Sequence, residues 1–355
     1  MNNIAIRVDA SHSIGIGHVM RCLTLAIEIR KQSLAKIFFV CRKSIGNAKY
    51  KIYEAGFDYI ELDSGIDLPM SSLNHGHWLR ASQNSDAEEF KSALISSGVP
   101  QVDLIITDHY GIDNLWHGLV RDYTKKIFVI DDLGDRVHDC DYLLDQTYSC
   151  KSDKYALLVS SECNQFLGTH YALLRPEFEG LQPIKIDGNS LLVMFGGTDP
   201  DNLTLKALNV IENIPNLDKI NVVLSDSAKY LVEVSTYCES RDLIYLHKSP
   251  NNIAKLMMES KLAIGAAGTT SWERCAAGLP TVVVIQALNQ REIATSLQKA
   301  GVISYIEAEN IDDDLRCKIS EWLIALSKNN DYTERCLDVC DGYGTNRVVR
   351  EILND

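Results

Sequence analysis

Short apolar runs alternate with longer helical patterns along this chain. The first series of runs is Ile4–Val8, Ile37–Val40, Tyr59–Leu62, Leu104–Thr107 and Ile127–Asp131. The second is Leu191–Phe195, Ile220–Leu224, Leu243–Leu246, Leu262–Gly265 and Thr281–Ile285. Short runs rich in β-branched and aromatic residues, with no polar alternation, fit strands buried on both faces. Helical segments between such strands imply right-handed βαβ crossovers and parallel sheets. The end of the chain reads as helices, among them the amphipathic run Leu315–Leu326.

The stretch from Glu179 to Asn189 interrupts the alternation with Gly180, Pro183 and Gly188, which marks a linker. With 355 residues, two domains are expected. The boundary is placed at 184/185, giving residues 1–184 and 185–355, each an α/β doubly wound, Rossmann-like domain. Two such domains facing a cleft suit a split task, with one holding a nucleotide and the other the group being changed. The segment Ser64–Ser85 is rich in Ser, Asn, Gly and His and reads as a long loop.

Composition narrows the function. Acidic residues number 48 against 35 basic ones, a formal charge of −13. A nucleic-acid binder is expected to carry the opposite sign. No apolar run approaches the ~20 residues that span a bilayer, and the first residues do not read as a signal peptide. The ten cysteines include no CxxC pair and read as reduced thiols, with Cys336 and Cys340 packing in the core. A cytoplasmic enzyme acting on a small molecule is the expectation, with oligomeric state left open and a monomer compatible.

The first candidate site follows the first strand. Asp9 leads through Gly15 and Gly17 to His18, and a helix follows with Val19, Leu23, Ala26 and Ile27 on one face. The glycines admit a close ligand, and free N–H groups at a helix start favour an anion. The same helix dipole disfavours an imidazolium, and a neutral imidazole can take a proton from water. His18 is therefore the candidate general base. The loop is not a GxGxxG fingerprint, and the second strand ends in Cys41-Arg42 without an acid, which argues against NAD. Asp9, Asp108 and Asp131 all close strands and can orient His18 or hold substrate, with Asp9 and Asp108 preferred.

The second half repeats the arrangement. Gly196, Gly197 and Thr198 follow a strand and offer backbone N–H groups and a hydroxyl to an anion. Gly268, Thr269 and Thr270 open a helix after Leu262–Gly265, as a diphosphate site requires. Glu273 lies about one turn into that helix and can accept both ribose hydroxyls. Lys248–Ala254, with Ile253, forms a rim whose backbone can read a base. Asn289 and Gln290 follow the strand Thr281–Ile285. Asp139-Cys140-Asp141 matches a DxD pattern but lies outside the expected cleft. His75-Gly76-His77 lacks a third ligand and fits a polar lid better. No metal and no cofactor are expected.

Taken in order, several motifs resemble the nucleotide-sugar hydrolases of pseudaminic acid biosynthesis. They are Arg7-x-Asp9 with Gly15-x-Gly17-His18, Thr107–Ile112, Ile130-Asp131-Asp132, Tyr171–Phe178, Gly196–Asp199 and Asn252–Met257. The resemblance spans nearly the whole chain. It implies the two-domain glycosyltransferase-B fold and hydrolysis of the UDP–sugar bond at the anomeric carbon with inversion. It also implies that His18 is the base on the attacking water. The first domain is then the sugar side, with Asp9, Gly15, Gly17, Asp108, Tyr110, Arg175, Asn289 and Gln290 around the sugar and phosphate. The second domain holds UDP. A glycosyltransferase of the same fold and a non-catalytic nucleotide-sugar binder are the alternatives. The first calls for an acceptor, and the second has no need of a histidine after Gly-x-Gly.

Overall fold

A computed structural model describes residues 1–65, 73–184, 186–196, 199–286, 288–328 and 331–354, without the side chains of 288 and 289. The chain divides into two compact units, Met1–Leu173 with Gly344–Asp355, and Leu174–Tyr343.

The first unit holds a seven-stranded parallel sheet. Its strands are β1 (Asn3–Val8), β2 (Lys36–Arg42), β3 (Asp58–Leu62), β4 (Val102–Asp108), β5 (Thr124–Ile130), β6 (Tyr142–Asp145) and β7 (Asn164–Leu167), in the order β3-β2-β1-β4-β5-β6-β7. Helices α1 (Gly17–Gln32), α2 (Lys49–Glu54), α3 (Gln83–Ser96) and α4 (Asn114–Val120) make the crossovers from β1 through β5. Alternate residues of β1 serve opposite faces. Ile4, Ile6 and Val8 join the apolar layer that includes Leu23, Ala26 and Ile29 of α1, whereas Ala5 joins the layer with Phe90 and Trp116. Neighbours β1 and β4 leave the sheet toward opposite flanks, so the chain reverses its winding between them. Ligands of open α/β sheets bind at the carboxyl ends of the strands beside such a point.

The second unit has a six-stranded parallel sheet. Strands β8 (Ser190–Met194), β9 (Lys219–Leu224), β10 (Ile244–Lys248), β11 (Leu262–Gly265), β12 (Thr281–Ile285) and β13 (Ile303–Glu307) lie in the order β10-β9-β8-β11-β12-β13. Its helices are α5 (Leu203–Ile211), α6 (Leu231–Glu239), α7 (Ile253–Met258), α8 (Thr269–Ala276), α9 (Leu288–Lys299), α10 (Ile311–Lys328) and α11 (Asp331–Val339). Here the winding reverses between β8 and β11. Among the described residues no helix is long and apolar enough to cross a membrane.

Two boundaries differ from the sequence reading. The units part at Leu173/Leu174, not at 184/185, and the chain returns at Gly344 to place α12 (Gly344–Asn354) in the first unit. Val348, Val349 and Ile352 of α12 are buried in the layer that also holds α1. Gly344 sits so close to Ala172 that an added Cβ would lie 2.4 Å from backbone atoms. Only glycine tolerates that approach. The Gly/Pro-rich stretch expected as linker belongs to the second unit. The expected loop Ser64–Ser85 also holds structure: Gly76–Leu79 form a 3-10 turn, and Ser82 caps α3 by accepting from Ser85 N–H (3.1 Å). Within that loop, 66–72 lie outside the described residues.

Candidate functional site

In the first unit, Val8 and Asp108 pair across β1 and β4, at the point where the winding reverses. The turn after β1 folds back on itself. Gly15 N–H donates to Ser11 O (2.8 Å), with Gly15 in the left-handed region at φ +78°. Open space surrounds the positions where Gly15 and Gly17 would carry a Cβ. His18 follows in the first turn of α1.

His18 Nδ1 lies 2.6 Å from Asp108 Oδ1. Asp108 is buried and fully engaged. Arg21 grips both its oxygens, Nε to Oδ2 at 2.5 Å and Nη2 to Oδ1 at 2.6 Å. Burial alone would raise the Asp108 carboxyl. The Arg21 guanidinium, then His18, overcome that and hold it well below the usual carboxylate range. An ionised Asp108 has no proton to donate, so Nδ1 must donate to it. In the neutral imidazole that fixes the tautomer, with the lone pair on Nε2. Arg21 also reaches Asp132 (Nη1 to Oδ2, 3.0 Å), and Tyr110 OH donates to the other Asp132 oxygen. Tyr110 meets the His18 ring edge-on at 4.8 Å and stacks with Trp78 at 5.6 Å. His18 is thus held by a carboxylate on one side and by aromatic rings on another.

The other acids do different work. Asp9 accepts from Arg7 (2.6 and 2.9 Å) and from Arg42 N–H (2.6 Å), and Arg7 is bound in turn to Asp86 on α3. It is a structural anchor of the strand ends and makes no contact with His18. Asp131 receives Arg136 (2.8 Å), Tyr155 OH (3.0 Å) and Gly134 N–H (2.9 Å). Of the candidate partners, Asp108 is the one that reaches His18. A cavity of about 380 Å³ adjoins the turn, lined among others by Ser11, Ser13, Lys43, Ser44 and Trp78. Arg21, Asp132 and Trp78 were not among the expected site residues. Arg21 was the discoverable one, because it lies three residues after His18 on the same helical face.

In the second unit the expected nucleotide elements flank the other reversal. Gly196 lies two residues past β8, with φ +95°, and is exposed. Asp199 then caps α5, accepting from Leu203 N–H (2.9 Å) and Thr204 N–H (2.8 Å). Gly197 and Thr198 lie outside the described residues, as does the Asn289 side chain. After β11, Gly268 turns the chain at φ +151° and Thr269 and Thr270 open α8. The first N–H groups of such a helix have no intrahelical partner. Glu273 pairs with Arg175 (3.0 Å), which also holds Glu177 (2.8 Å). Arg175 therefore belongs to the second unit and not to the first, where the sequence reading put it among the sugar-side residues. Ile253 starts α7, where Asn252 accepts from Lys255 N–H (2.8 Å) and the Glu177 carboxyl faces the Ile253 and Ala254 N–H groups. Gln290 Oε1 accepts from Gln286 N–H (2.9 Å).

Asp139 and Asp141 both bind Arg121 at 2.6 Å, which accounts for the DxD pattern as an ion-pair cluster. Among the described residues no group of three His, Cys, Asp or Glu could hold a metal ion.

With this geometry established, known proteins locate the chain. No family model matches it. The UDP-2,4-diacetamido-2,4,6-trideoxy-beta-L-altropyranose hydrolase of Campylobacter jejuni is 28% identical over 84% of this chain and 97% of its own length. The resemblance to that hydrolase holds. An uncharacterized protein of Methanocaldococcus jannaschii, MJ1062, is 30% identical over 81% of this chain, and the matched region spans 57% of that longer protein. Among solved structures, MurG of Acinetobacter baumannii covers the chain completely at TM-score 0.66 and 13% identity. The spinosyn rhamnosyltransferase SpnG covers 99% at TM-score 0.66 and 12% identity. The fold is that of the glycosyltransferase-B class.

Proposed function

We propose that this protein hydrolyses a UDP-activated diacetamido-trideoxy-hexose at its anomeric carbon, releasing UDP and the free sugar for pseudaminic acid synthesis. The observation that carries the reading is the fixed tautomer of His18. Its Nδ1–H is committed to Asp108, so Nε2 accepts a proton from water as the water oxygen bonds to the anomeric carbon. The bond from that carbon to the diphosphate oxygen breaks, its electron pair leaves with UDP, and the configuration inverts. His18 then returns the proton to solvent.

The leaving group explains why one base suffices. Ordinary glycosidases need a second carboxyl to protonate a poor leaving group. A diphosphate leaves without a proton when N–H groups and positive charge receive it. In this reading Gly196–Thr198 and Gly268–Thr270 supply those groups, Glu273 reads the ribose and the Ile253 rim reads the base. Trp78 and Tyr110 give the sugar an apolar surface beside His18. Similarity to the Campylobacter hydrolase supports the choice of substrate.

Incubation with the UDP-sugar, followed by proton NMR of the first-formed sugar, tests the reading. Release of UDP with the opposite anomer formed first is expected. UDP release that requires an added acceptor would assign the chain to sugar transfer instead.

A further inference from the structure

Buried cations normally sit against a carboxylate. Arg274 does not. It lies on α8 and is 1% exposed, and no carboxylate among the described residues comes within ion-pair distance. Its Nη2 donates to Ala266 O (2.7 Å) and Ser271 Oγ (3.0 Å), while Nε and Nη1 have no partner. Burial pulls the guanidinium down to about 10, so it still carries its charge at neutral pH.

The guanidinium lies directly beneath the turn that opens α8. Gly265, at the end of β11, is crowded on two sides: a Cβ there would lie 2.2 Å from Met194 O, a backbone atom that cannot yield, and 2.7 Å from Arg274 Nη1. The residues that Arg274 holds, Ala266 and Ser271, bracket Gly268 and Thr269. Ser271 Oγ also accepts from Gly268 N–H at 3.4 Å. One side chain thereby both braces the turn and places a full positive charge behind the start of α8, where Thr269 and Thr270 open the helix.

An uncompensated charge in a low-dielectric interior is costly, and an anion on the turn would offset the cost. A neutral ligand would not. We infer that Arg274 is the buried counter-charge that makes the Gly265–Ser271 turn selective for a nucleoside diphosphate over the uncharged nucleoside. This deepens the proposed function and rests on its placing the diphosphate at this turn. Arg274 acts from behind the turn, as a positioning and specificity residue rather than one that touches substrate.

Calorimetric titration of UDP and of uridine into wild type, R274M and R274K tests the inference, with thermal unfolding of each variant as a check on folding. Methionine fills much of the space without charge, and lysine keeps the charge while losing the planar fork. R274M should lower the preference for UDP over uridine by about tenfold or more, as expected for removing a unit charge near a diphosphate. Its uridine affinity should stay within about threefold. R274K should keep the preference within about threefold of wild type. A folded R274M with wild-type preference would overturn the inference, as would R274K losing as much as R274M. Should R274M not fold, R274K decides alone by the same criterion. Should wild type bind neither UDP nor uridine, the nucleotide reading fails, and pyrophosphate titrated alone decides on Arg274. Pyrophosphate bound by wild type and about tenfold weaker in R274M, or in R274K if R274M does not fold, upholds the charge. Pyrophosphate ignored by wild type, or held equally by the variant, overturns it.

Discussion

Replacing Asp108 with Asn perturbs the His18 tautomer with almost no change in shape. In the native site Asp108 Oδ1 accepts from both His18 Nδ1 and Arg21 Nη2, each at 2.6 Å, and Oδ2 accepts from Arg21 Nε at 2.5 Å. An amide has one oxygen. Placed at Oδ1, it sets its NH2 against Arg21 Nε–H. Placed at Oδ2, it keeps Arg21 Nε and points the NH2 at His18 Nδ1, which must then accept. The proton moves to Nε2 and the base is lost. Positioned base catalysis contributes about 10²–10⁴ in rate, so kcat should fall by that factor in D108N. The fold should weaken as well, because Arg21 is left in a buried site with fewer acceptors. It retains Asp132 at 3.0 Å, which limits the loss to about 1–3 kcal/mol. For a unit of this size that lowers Tm by roughly 2–12 °C. Steady-state kinetics of D108N, H18A and the double variant separate the two effects. If Asp108 acts through His18, the double variant should be no slower than H18A alone. Losses that multiply across the double variant, or a folded D108N with normal kcat, would refute the reasoning.

Glu273→Ala should weaken UDP binding by about 10–150-fold, and should abolish the discrimination between UDP and 2′,3′-dideoxy-UDP seen by calorimetry. Equal discrimination by both proteins would move ribose recognition elsewhere. Activity should survive EDTA, and loss that Mg²⁺ or Mn²⁺ restores would show a metal step. Acid stability should reflect the buried His117, whose pKa burial and then the neighbouring His138 hold well below the usual histidine value. A base with a depressed folded pKa contributes stability that is complete above its unfolded pKa, about 6.5, and is lost as pH falls below it. Tm measured from pH 7 to pH 5 should therefore drop in wild type and drop less in His117→Gln.

Much of the fold is legible in the sequence because its central strands are buried on both faces. Such strands read as apolar runs, and β1, β4, β8 and β11 stand out for that reason. The strands that escape notice are β6 and the edge strands β7 and β13. Asn164 and Gln165 make the start of β7 polar, and Ser304 and Glu307 interrupt β13. An edge strand has one neighbour and less burial, so its pattern is weaker. The return of α12 is not readable from composition, since the Gly/Pro-rich stretch before residue 190 attracts the boundary. The close approach that decides it, Gly344 against Ala172, is a tertiary contact. The loop of His18 is legible because glycines, a strand end and a helix start coincide. Its carboxylate is not uniquely so. Asp9, Asp108 and Asp131 lie near equivalent strand ends and each pairs with a buried arginine, so only the tertiary placement of α1 beside β4 brings Asp108 to the histidine.

The central claim is that water, activated by His18, attacks the anomeric carbon. Turnover of the UDP-diacetamido-trideoxy-hexose in H2¹⁸O, read by mass spectrometry of both products at early time, tests it most directly. The account predicts one ¹⁸O in the free sugar, none in UDP, and a rate that falls about 10²–10⁴-fold in H18A. Label in the UDP would place the attack at phosphorus, and undiminished turnover by H18A would remove the histidine from the reaction.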